Sequence, residues 1–120
     1  MMPRRSFMSL AAAAASSSRA CAGGDEIFHV AIFRFAKENL NDAIAALRAL
    51  AAASRRESSD VRYDIYRGID DDREFYIVEH RASPAALVEH ERTEAFISYG
   101  KEYLVPRATL HDTVTGRPFS

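Results

Sequence analysis

Histidine is the side chain best suited to carry a proton near neutral pH, and His90 is placed where it could do so. It lies about two turns into a helix that Ser83-Pro84 starts, with serine as the cap and proline at the first helical position. Leu87, three residues earlier, shares its side of that helix. If Leu87 packs on a sheet, His90 sits beside the pocket between helix and sheet. A neutral imidazole there can take a proton from a phenol or quinol. A plainer role is also open: a bond to a carboxylate one turn on, such as Glu94. His29, among aromatic residues in an apolar run, could orient a substrate oxygen or serve as a core or interface histidine. Tyr63 and Tyr66 carry hydroxyls on apolar rings and suit an aromatic ligand. Alternation sends them to opposite faces of one strand, so at most one of them lines a given pocket. Glu79 can pair with Arg62 or Arg34 across a sheet.

Other chemistries find less support. Asp70-Asp71-Asp72 lacks the spaced ligand set of a calcium loop and reads as a solvated turn. His29, His80, His90 and His111 show no metal-ligand spacing, so no metal site is expected. There is no glycine-rich phosphate loop. Cys21 is the single cysteine, which excludes an intrachain disulfide. No basic stripe interleaves with aromatics, and a nucleic-acid partner is not expected.

The elements that must position these residues follow from periodicity. Residues 27–35, IFHVAIFRF, alternate as a strand and are apolar on both faces, so both should be covered. Leu40, Ala43, Ile44, Leu47, Leu50 and Ala51 form one stripe of a helix over 40–54, with Asn39 or Asn41 as cap. Residues 61–67 and 74–81 pair as a hairpin around a polar, acid-rich turn. The helix from Ser83 follows. A second short one runs over 94–103, with Gly100 as its weak point, and Pro106 stops it. Residues 108–115 form a last strand, Gly116 ends it, and 117–120 are a tail. The order β-α-β-β-α-β is the ferredoxin-like α+β arrangement, with two helices on one sheet face. The other face would be covered if a homodimer closes two sheets into a barrel.

One domain is what 120 residues allow, and 48% hydrophobic with 28% charged residues is ordinary globular composition. The first 22 residues differ. Arg4-Arg5, Phe7, an apolar run over 10–15 and Ala20-Cys21-Ala22 have the layout of a signal peptide of twin-arginine type. The run is too short to span a bilayer. The expectation is an exported protein, periplasmic or extracellular, with no membrane attachment after cleavage. A disordered start or a transit peptide, with a cytoplasmic or organellar protein, is the alternative. From Asp25 onward the chain holds thirteen basic and seventeen acidic residues and no cysteine, which suits an oxidising compartment.

Residues 27–115 resemble the antibiotic biosynthesis monooxygenase (ABM) domains, which are dimeric α+β barrels. The likeness rests on Glu57, on Arg62-Tyr63-Asp64-x-Tyr66, and on Glu79, Ala86-Leu87, His90, Thr93 and Phe96. The chain departs from the family pattern at Lys37-Glu38, where Pro-Gly is usual, and at Ser58-Ser59-Asp60, in place of Pro-Gly-Cys. Arg81 stands at the frequent tryptophan position and Ala95 at a second histidine. Relatives that degrade haem use a tryptophan, and this chain has none. The resemblance implies an ABM-like domain over 25–116. It implies a small enzyme that oxygenates an aromatic or quinol-type molecule with molecular oxygen and no cofactor. His90 would be catalytic, and His29, Tyr63, Tyr66 and Phe96 would contact the substrate. Two alternatives stay open: a non-catalytic module for a small hydrophobic ligand, and an isomerase of a small oxygenated metabolite.

Overall fold

The computed structural model describes residues 25–57 and 62–119. The segment over 1–22, expected from its sequence to be a signal peptide, lies outside them.

Strand β1 (Ile27–Phe35) alternates as its sequence requires: Ile27, Ala31, Phe33 and Phe35 are buried on one face. A short 3-10 turn, Lys37–Asn39, leads into helix α1 (Leu40–Ser54). Asn39 occupies the cap position of α1, but its side chain makes no capping bond. The preceding turn supplies the entry instead, through Asn39 N–H donating to the Ala36 carbonyl. The buried stripe of α1 is Ala43, Ala46, Leu47, Leu50, Ala51 and Ser54. Its small side chains let the helix backbone lie close to the sheet.

Strands β2 (Arg62–Arg67) and β3 (Glu74–Arg81) form the expected hairpin. A Cβ on Gly68 would stand 2.5 Å from the Asp71 carbonyl oxygen, so this turn closes only around glycine. Asp71 is fully engaged. One oxygen takes a 2.6 Å bond from Arg34 and the other a 3.0 Å bond from the Arg73 amide. The Arg34 bond, followed by the Arg73 amide, holds the Asp71 carboxyl below its ordinary range. The acidic triplet is thus a braced turn.

Helix α2 (Pro84–Glu91) starts as expected, with the Ser83 hydroxyl accepting from the Ala86 amide at 3.2 Å. Thr93 joins it to the next segment. Its hydroxyl donates to the His90 carbonyl at 2.8 Å and accepts from the Phe96 amide at 3.2 Å. The segment expected as a second short helix is a π-helix, Phe96–Leu104, closed by a turn at Val105–Arg107. Its wider coil is visible where the Val105 amide donates five residues back, to Gly100. Gly100 is buried, and a Cβ there would only touch Phe96 and Leu50 at 3.5 Å and beyond. It is a packing position, not a break. Strand β4 (Ala108–Gly116) ends the fold.

The strands form one antiparallel sheet in the order β2-β3-β1-β4, and the fold is ferredoxin-like α+β. The helices cover one face, where Phe35 and Leu104 are fully buried. On the other face Val30, Ile32, Tyr76 and Val78 are partly covered, while Phe28 is 40% exposed. Among the described residues no helix is long and apolar enough to cross a membrane.

Phe35 packs with Phe33 and Phe75 at the centre of the core. Phe35→Ala should cost about 3–5 kcal/mol, the usual range for emptying such a site. Urea unfolding monitored by circular dichroism measures it. A loss below about 1 kcal/mol would mean that this core collapses around the gap.

Candidate functional site

The site begins with the register of the sheet. Thr115 of β4 lies opposite His29 of β1, His29 opposite Glu79 of β3, and Glu79 opposite Tyr63 of β2. Side chains opposite one another share a face, so these four make a polar row across the helix-covered side. His29 Nδ1 and the Thr115 hydroxyl meet at 2.7 Å. Along β1 and β4 the next rows are apolar or aromatic, and His111 stacks on Phe33 at 4.6 Å between centroids.

A cavity of about 110 Å³ lies between this face and the π-helix. Ala31, Phe33, Ile77 and Phe96 supply apolar wall, while His29, Tyr63, Glu79 and His111 supply polar atoms. A larger groove of about 370 Å³ runs between α1 and β2, lined by Ile65, Phe75, Arg48, Arg55 and Arg67. That groove holds none of the imidazoles or carboxylates. The smaller cavity is the candidate site, because the proton-carrying groups converge on it and not on the groove.

His90 is 2% exposed and sits behind the cavity wall, ringed by its lining residues. Its ring lies 5.8 Å from Tyr63 and 5.2 Å edge-on from Phe96, between centroids. The carboxylate partner is Glu57, at the end of α1, and not Glu94. His90 Nδ1 stands 2.9 and 3.0 Å from the two Glu57 oxygens. An ionised carboxylate only accepts, so Nδ1 carries the hydrogen and donates. His90 Nε2 is buried with no hydrogen-bond partner among the described residues, 3.8 Å from Glu79 Oε1.

Arg81 ties the two carboxylates together. Its Nε and Nη2 donate to Glu79 Oε1 at 3.0 and 2.7 Å, and its Nη1 donates to Glu57 Oε1 at 3.2 Å. Glu79 therefore pairs with Arg81, two residues along its own strand, and not with Arg62 or Arg34. Those two arginines point to the opposite face, where Arg62 meets Asp64 and Arg34 meets Asp71. Burial, reinforced by the Glu79 charge, pushes the Tyr63 hydroxyl far above its ordinary range, so it stays a protonated donor.

Of the residues singled out from the sequence, His29, Tyr63 and Phe96 line the cavity and His90 backs it. Tyr66 lies apart. It is largely exposed on the alternate face of β2 and borders the arginine-lined groove. Glu79 and His111 belong to the lining but were not singled out for it. The strand alternation that puts Glu79 level with Tyr63 and His29 was the available signal. No group of three or more His, Cys, Asp or Glu side chains among the described residues has a metal-holding arrangement.

The comparisons with known proteins fit this architecture. The family model described as antibiotic biosynthesis monooxygenase matches residues 27–101. A solved structure from Shewanella oneidensis is similar at 27% identity and a TM-score of 0.70, covering 76% of this chain and 88% of its own. One from Pseudomonas aeruginosa shows 26% identity and a TM-score of 0.69, covering 80% of this chain and 96% of its own. A structure described as an antibiotic biosynthesis monooxygenase shares the fold at 20% identity and a TM-score of 0.73, covering 78% of this chain and 99% of its own. No curated protein matches the chain.

Tyr63 makes the site measurable by pH. The unfolded chain ionises this tyrosine near pH 10, whereas the folded chain resists doing so. Its contribution to stability is complete below about pH 10 and is lost as pH rises beyond it. Tyr63→Phe should flatten the fall of Tm between about pH 10 and 12. Calorimetry that finds identical slopes for the two proteins would contradict the buried hydroxyl.

Proposed function

We propose, from a chain that belongs to the antibiotic biosynthesis monooxygenase family, that its cavity oxygenates a small aromatic or quinol-type molecule with molecular oxygen and no cofactor. The observation that carries this reading is the cavity's polarity. Its walls are apolar and aromatic, and at one end stand a protonated tyrosine, an imidazole and a carboxylate, with a second imidazole behind them. That arrangement suits a flat ring bearing a hydroxyl. Removing the hydroxyl proton makes the ring electron-rich enough to pass an electron to oxygen. His90 is the proton acceptor in this reading, and His29, Tyr63 and Phe96 hold the ring.

Binding without turnover is the second reading. It is favoured by one observation: His90 does not itself face the cavity.

Oxygen uptake with a panel of hydroquinones and phenols separates the two. The expected result is substrate-dependent uptake without added metal or flavin. His90→Gln should lower kcat at least roughly tenfold, since a positioned proton acceptor is worth about 10²–10⁴-fold. KM should change less than kcat. Compounds that bind without any oxygen uptake would establish the binding module.

We also propose that the protein works as a homodimer joined through the open sheet face. Phe28, Leu110 and Val114 are exposed there beside half-covered Val30, Ile32 and Val78, an apolar surface interrupted by Asp112 opposite Ile32. Light scattering at micromolar concentration should return twice the chain mass. A soluble monomer would refute the arrangement.

A further inference from the structure

His90 is bracketed by carboxylates at both ring nitrogens, and only one of the two carboxylates reaches the cavity. Nδ1 donates to Glu57, whose side chain is 20% exposed. Nε2 faces Glu79, which lines the cavity and is 4% exposed. Arg81, 2% exposed, holds both carboxylates in place. The buried charges are two carboxylates, one guanidinium and one imidazole. With a neutral ring the cluster carries one net negative charge, and one added proton balances it.

We infer that Glu79, His90 and Glu57 form a proton store for the cavity, with Glu79 as the group that touches the substrate and His90 as the group that keeps the proton. This rests on the oxygenase reading for its substrate, a phenol or quinol, and its co-reactant, molecular oxygen. The substrate O–H bond breaks as a proton moves to Glu79. The Glu79 O–H bond breaks in turn as Nε2–H forms on His90. The imidazolium then lies between two carboxylates, with Glu57 stabilising it through Nδ1–H. No electron passes through these side chains. The phenolate ring is oxidised by molecular oxygen: a ring C–O bond forms, the O–O bond breaks as the ring C–H proton passes to the departing oxygen, and the stored proton returns through Glu79 to complete the water, leaving the ring as a quinone. The orphaned Nε2 is accounted for: it is the empty seat of the store. The 3.8 Å gap to Glu79 is too long for a hydrogen bond. It must close when substrate binds, as loose contacts in empty sites commonly do. Arg81 is a positioning residue. Its two bonds fix the Glu79 carboxyl group with Oε1 turned toward His90 Nε2.

The groups that face His90 are Glu57 beyond α1, Glu79 and Arg81 on β3, Tyr63 on β2 and Phe96 on the π-helix. Any pH dependence of the ring therefore reports on this cluster.

The test uses 4-nitrophenol, whose anion alone absorbs visible light, with nitrogen-15 NMR of the His90 ring. The pH is one at which the free phenol is mostly neutral. In the free protein Nδ1 should be protonated and Nε2 bare. With saturating 4-nitrophenol both nitrogens should carry protons, and the bound phenol should appear as its anion. Glu79→Gln keeps an oxygen for Arg81 but cannot pass a proton on. It should bind the phenol in neutral form and leave the ring unchanged. A phenol that does not bind, one that binds and stays neutral in the wild type, or a Glu79→Gln protein whose ring still protonates would overturn the store. The oxygenase reading is judged separately. Oxygen uptake with an unchanged ring would keep the reaction and remove the store, and ring protonation without oxygen uptake would do the reverse.

Discussion

Arg81 is the constraint around which the polar half of this molecule is arranged. A guanidinium cannot shed its charge, so burying it at 2% exposure requires anionic partners with good geometry. The chain supplies two from different places, Glu79 on the same strand and Glu57 after α1. Glu57 in turn receives His90 from α2. One buried cation thus joins the turn after α1, the end of β3 and the last turn of α2. Charge replaces the indole that the family often uses at this position. Replacing the arginine alone would leave Glu79 buried without its partner.

The fold was legible in the sequence because its signals are local. Alternation in β1, the alanine-rich stripe of α1 and the Ser83-Pro84 start all act within a few residues, and each appears where its pattern places it. The π-helix was not legible. Its bonds run five residues back, a spacing that residue preference alone does not show. The site was partly legible for the same reason. His29, Tyr63 and Phe96 reach the cavity because parity and helix position determine which way they point. The partners of His90 and Glu79 could not be read, since Glu57 is 33 residues from His90 and meets it only through the third dimension. The carboxylate of Glu94, one turn away along the chain, was the nearer guess and the wrong one.

The two sheet faces divide the labour. The helix side buries Phe33, Phe35, Phe75 and Leu104 and keeps its polar row at one end, so the cavity forms where the apolar packing stops. The open side keeps its charged pairs toward the hairpin, with Arg34 on Asp71 and Arg62 on Asp64. Between them lie Val30, Val78 and the exposed Val114.

The sheet order also bears on how the chain reaches this state. β1 is made first among the strands, yet it is central, and both its neighbours come later. The bond between His29 and Thr115 joins residues 86 apart, and that between Arg34 and Thr109 joins residues 75 apart. Pairings of such separation carry a large loop-closure cost before they return any stability, and they slow folding. The hairpin of β2 and β3 and helix α1 can form early from nearby residues. β1 must wait for the hairpin on one side and for the end of the chain on the other. The pairing with β4, the strand least buried of the four, therefore carries the longest loop closure in the sheet.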